Sequence, residues 1–95
     1  MLRVWGKLIK KNQIKQNYIA VNNDSKLPLG ERLHLCLDEI CMELDLQRPI
    51  WLEQNRQDIR SFGRTNFRQD HFIEPISYDA LEIEILEMDD AKEVR

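Results

Sequence analysis

Four residues of one segment have the types and spacing of a metal site: His34, Asp38, Cys41 and Asp45. Offsets of four, three and four put them on one side of a helix, where adjacent turns can supply imidazole, carboxylate and thiolate ligands together. A structural zinc site ordinarily shows tighter cysteine and histidine pairs. A solvated polar flank with a marginal cysteine is therefore the preferred reading, and no metal or other cofactor is expected. A second set is Arg56, Arg60, Arg64 and Arg68, interleaved with Phe62, Phe67 and Phe72. Guanidinium groups grip phosphates and rings stack on bases, so segment 56–68 is a candidate anion or nucleic-acid contact. The net charge of −3 weighs against it, because nucleic-acid domains carry a basic footprint. The plainer reading makes the phenylalanines core anchors and leaves the arginines solvated or paired with acids.

Nothing in the chain has the spacing of a known catalytic device. It has no phosphate-binding glycine loop, no nucleophile elbow and no helical HExxH. Ser25, Ser61 and Ser77 have no histidine near them in sequence, and His34 and His71 meet only if the fold brings them together. Gly63-Arg64-Thr65 would hold an anion if successive amides pointed outward, yet helix capping accounts for that glycine. Trp5 and Trp51 read as core residues before they read as a ligand cage. The chain is accordingly expected not to be an enzyme. A third candidate is apolar. Leu35, Met42 and Leu46 project opposite the main stripe of the same helix, where a lone surface helix would carry charge. They mark an interaction surface covered either by the chain's own loops or by a second subunit.

All these residues depend on the elements that hold them. The central one is a helix over Leu29 to Leu46, with Leu33, Cys36, Leu37, Ile40 and Leu44 on one stripe and Pro49 as its stop. Leu2 to Lys10 reads as a strand with Leu2, Val4 and Leu8 on one face and Trp5 and Ile9 on the other. A turn at Asn12-Gln13 leads to a returning strand from Ile14 to Val21, apolar on both faces and hence partly buried on each. A capping box from Asn55 to Asp58 opens a short helix, Arg56 to Phe62, closed by Gly63. Arg64 to Phe72 is irregular with one helical turn. Ala80 to Glu87 alternates Leu81, Ile83 and Ile85 with Glu82 and Glu84, which is a strand with one buried face. Met88 to Arg95 is a polar, fraying end. The expected architecture is α+β: a small antiparallel sheet, made of the N-terminal hairpin plus the C-terminal strand, on one long central helix, with a second short helix, all in a single domain over 1–95.

Charge supports that pairing. Residues 1–26 carry six basic groups and one acid, and residues 74–93 carry eight acids and one lysine. Opposite charges on neighbouring strands attract, so the two ends are expected in one sheet. No apolar run approaches the ~20 residues that cross a bilayer, and the N-terminus has no cleavable signal pattern. No membrane partner and a cytoplasmic location follow as expectations. Cys36 and Cys41 are too far apart around a helix to bridge and are expected to be reduced.

The stretches Leu-Arg-Val-Trp-Gly-Lys at 2–7, Glu-Leu-Asp-Leu at 43–46, Pro-Ile-Trp-Leu at 49–52, Phe-Gly-Arg-Thr at 62–65 and Leu-Glu-Ile-Glu-Ile-Leu at 81–86 resemble a group of short uncharacterised bacterial proteins. The resemblance covers nearly the whole chain and implies a free-standing small cytoplasmic protein, with no activity, cofactor or site residue attached. The reading that results is a protein-interaction or self-association domain, possible homodimers included, with nucleic-acid binding through 56–68 as the alternative.

Overall fold

Lys11 and Asn12 both take left-handed backbone, with φ of 53° and 63°. A two-residue loop with both φ positive is a type I′ turn, whose twist suits a tight hairpin. It joins strand β1 (Leu2–Lys10) to strand β2 (Gln13–Asn22). The sequence places this turn one residue later. Asparagine tolerates positive φ, and turning at Lys11-Asn12 frees Gln13 to pair with Lys10. The structure is a computed structural model that describes residues 1–88. The polar end expected from Met88 onward lies, Met88 apart, outside the described residues.

Helix α1 (Leu29–Glu43) follows, then helix α2 (Glu53–Phe62), strand β3 (Arg64–Phe67), a single 3-10 turn at Gln69–His71, and strand β4 (Ala80–Glu87). The four strands form one antiparallel sheet in the order β2-β1-β4-β3. The fold is α+β, and the C-terminal strand joins the N-terminal hairpin along β1. Two features differ from expectation. The sheet has a fourth strand, β3, and β4 is an interior strand instead of an edge.

Alternation along the strands decides which face is dry. Leu2, Val4 and Leu8 of β1 point inward with Ala20 of β2, Phe67 of β3, and Leu81 and Ile83 of β4, and all are buried. Against them α1 lays Leu33, Cys36, Leu37, Ile40 and Leu44, the stripe read from the periodicity, and also Cys41, which is fully buried where a marginal position was expected. Gly6 lies where helix and strand come nearest: a Cβ there would overlap Ile40 Cγ2. Its role is this close approach.

α1 stops at Glu43, three residues short of the expected end. Asp45 is left-handed, with φ of 54°. The Leu46 N–H donates to Cys41 O at 2.8 Å and the Asp45 N–H to Met42 O at 3.3 Å. Those two bonds make a Schellman closure, which occupies carbonyls that a continuing helix would use. α2 starts three residues before the expected Arg56. Asn55 does not cap from outside; it sits in the first turn, and its Oδ1 accepts the Leu52 N–H at 2.9 Å. Gly63 closes α2 at φ 69°, as expected, and donates to Ile59 O.

Candidate interaction surface

Leu35 and Met42 are about two turns apart on the outward side of α1, 47% and 74% exposed. No described part of the chain covers them. Leu46 parts company with them because it lies beyond the Schellman closure, where it is half-buried against the core. Met42 and Leu46 still border one feature, a cleft of about 530 Å³ between the end of α1 and residues 74–78. Its polar groups are occupied with holding those walls together. Gln47 Nε2 donates to Glu74 O, and Gln47 Oε1 accepts the Glu74 N–H, both at 3.3 Å. The rest of the outward flank is acidic, with Glu31 and Glu43 exposed and Asp38 and Glu39 half-exposed. Asp38 accepts from Arg48 at 3.2 Å.

The four residues with metal-ligand spacing go separate ways. His34 lies against Trp51, ring centroids 5.2 Å apart. Asp38 is held by Arg48, Asp45 is in the turn after α1, and Cys41 is buried. Burial, and then the nearby Asp38 carboxylate, push the Cys41 thiol up to about 12; burial and Glu39 push Cys36 up to about 11. A thiol so far from its thiolate form is a weak ligand and a weak nucleophile at neutral pH. Among the described residues no three histidine, cysteine, aspartate or glutamate side chains converge on a metal position. His34 and His71 terminate one aromatic row, separated by Trp51 and Phe67.

The arginine set is also divided. Arg56 and Arg60 border a hollow floored by Leu33, Trp51 and Ile59, and Arg60 is paired with Glu53 at 3.2 Å. Arg64 stands on β3 opposite Glu84, and Arg68 lies past the end of that strand beside Asn66. Phe67 and Phe72 are buried in the core, while Phe62 is 72% exposed.

The uneven charge of the two chain ends pointed to a lysine–glutamate seam in the sheet, but not to its enclosure at the centre of the outer sheet face. Lys7 is 7% exposed although no helix covers that face. Its Nζ is 2.8 Å from Glu84 and 3.8 Å from Glu82, and sits 4.0 Å over the Trp5 ring. Trp5 Nε1 donates to Asn17 Oδ1 at 3.1 Å. Lysine, two carboxylates and an indole thus shield one another, each charge partnered, which satisfies a polar centre without a covering layer. Beside it, Ile19 and Val21 of β2 are 40% and 45% exposed, where apolar residues on both faces led to an expectation of partial burial on each. The signal for an open surface was that doubly apolar strand; its weight became visible only with the helices shown to lie on one side.

Comparison with protein-family models, with curated proteins and with solved structures finds no match to this chain. No helix among the described residues is long and apolar enough to cross a membrane.

Proposed function

We propose that this chain is a non-catalytic association domain that acts by docking to protein, another copy included, through surfaces its own fold leaves open. The observation that carries the reading is the outward flank of α1, where Leu35 and Met42 stand uncovered amid acids. Full burial of a large apolar side chain is favourable by about 1.5–3 kcal/mol, and Leu35 and Met42 gain the part of it that their exposed surface represents when a partner covers them. The acidic surround favours a partner with basic groups at its rim. A cytoplasmic setting suits two buried cysteines that remain reduced.

A photo-crosslinking residue at Met42 in living cells tests this, with the same residue at Gln57, on the exposed side of α2, as control. A discrete adduct from Met42 that disappears with Leu35→Glu is the expected result. Equal labelling from both positions, or none from Met42, overturns the reading.

A further inference from the structure

The two edges of the sheet are finished differently. β3 is four residues long, and Asn55 of α2 plugs its outer side by donating Nδ2 to Asn66 O at 3.1 Å. β2 is ten residues long, and among the described residues no chain pairs with its outer edge. Alternate residues of such a strand turn N–H and C=O groups away from the sheet, a template for another strand. The usual defences are proline, inward charge, a bulge or a covering segment. β2 has its bulge and its one charge, Lys15, at the hairpin end. Residues 16–22 have none of these.

We infer that two copies of this chain pair antiparallel through β2, making one continuous eight-stranded sheet. The inference rests on the reading of the chain as an association domain, and names its partner and surface. Charge selects the occupant. A two-fold interface sets each patch against itself. Pairing α1 with its own copy sets Glu31, Asp38, Glu39 and Glu43 against like charges. Pairing β2 with its own copy about an axis near Ile19 sends the two lysine-bearing hairpin tips to opposite ends, each Lys15 beside residues 22–24 of the other copy, which include Asp24. Ile19 then meets its counterpart across the axis, and Val21, on the same outer face, lies opposite Asn17 of the other copy and diagonal to its Ile19. Size agrees as well. A stable interface takes about 800 Å² from each partner, roughly an eighth of the chain's 6229 Å². About that axis residues 16–22 pair, a run of about 23 Å, well over half the 37 Å length of the molecule.

Sedimentation velocity of the full chain, from low micromolar to near-millimolar concentration, provides the test. The wild type is expected at twice the mass of the 11.4 kDa chain. Ile19→Lys with Val21→Lys is expected as a monomer throughout, and Leu35→Glu with Met42→Glu as a dimer still. A wild type that stays monomeric overturns β2 pairing. So does a dimer that survives the β2 changes and dissolves with the α1 changes, although the association reading then stands. A monomer that still cross-links another polypeptide through Met42 separates the two in the same way. Should the lysine variant not fold, hydrogen exchange on the wild type decides. Slower exchange of amides in 16–22 at high concentration supports the pairing, and unchanged exchange overturns it.

Discussion

Tyr18 shows how one residue ties the sheet to the helix. It stands on the inner face of β2 with its ring partly packed on the core, and its hydroxyl donates to Glu39 Oε2 of α1 at 2.6 Å. Ionising the phenol would remove that donor and set two negative charges together. The hydrogen bond to Glu39, foremost, and then partial burial raise Tyr18 from 10.0 to about 12. A group whose pKa is higher in the folded state contributes stability that is complete below its unfolded pKa and lost as pH rises through the folded one. The contribution of Tyr18 is therefore present below pH 10 and fades between pH 10 and about 12. Denaturant midpoints measured across that window should fall more steeply for the wild type than for Tyr18→Phe, which has no phenol to ionise. Parallel curves would mean that the contact with Glu39 contributes nothing. The same residue shows the limit of reading side chains from spacing alone. Alternation along β2 puts Tyr18 on the same face as Ala20, but nothing in the sequence says that this face is the inner one or pairs Tyr18 with Glu39, twenty-one positions away.

At the scale of elements, the fold rests on how closely α1 lies on β1. Gly6 is buried, and a Cβ at that position would meet the Ile40 side chain at Cγ2, Cδ1 and Cβ. Gly6→Ala is expected to lower the unfolding free energy by about 1–3 kcal/mol, the usual cost of overpacking a filled core. Ile40→Ala alone should cost about 2–5 kcal/mol through the cavity it leaves. The double variant should cost less than the sum of the two, because the added methyl then enters space the isoleucine vacated. Strict additivity in chemical denaturation would show that the crossing is not where the helix is gauged. Elements of this kind were legible to different degrees, for physical reasons. α1, β1 and β4 carry enough inward residues for their period to show. β3 has two, Thr65 and Phe67, and two residues define no period. It is a strand because β4 offers it an edge and because Asn55 reaches Thr65 Oγ1 at 2.9 Å and Asn66 O behind it. The early stop of α1 was hidden because Asp45 occupies the left-handed position where glycine would have announced the closure. Helical periodicity continued past that turn sets Leu46 on the outward flank with Leu35 and Met42; those two are exposed there, and Leu46 is half-buried against the core.

For the molecule as a whole, the decisive pairing joins the two ends of the chain. β4 lies between β1 and β3, with Val4 opposite Ile85, Leu8 opposite Leu81, and Phe67 opposite Leu81 on the other side. The uneven charge of the sequence is resolved across the first of these seams, where Lys7 meets Glu84 and Arg3 meets Glu87 at 3.5 Å. The Arg3 pair is open to solvent and contributes little; Lys7 is enclosed between two carboxylates, and its loss would leave Glu82 and Glu84 without the cation that they share. The hairpin with α1 forms one half and α2 with β3 the other, and neither half completes the sheet without β4. Trp51 reports on both, since it touches His34 of α1 and Phe67 of β3. One domain built this way should unfold in a single step. Tryptophan fluorescence and far-ultraviolet circular dichroism are expected to give coincident melting curves, with a calorimetric enthalpy near 65 kcal/mol for a chain of this length melting at about 60 °C, equal to the van't Hoff value. A chain ending at Asp79 should show no cooperative transition, because what remains is a two-stranded hairpin with α1 and, unlinked to its sheet, α2 with an orphaned β3. Two resolved transitions in the full chain, or a cooperative melt in the shortened one, would mean that one half stands without the strand that links them.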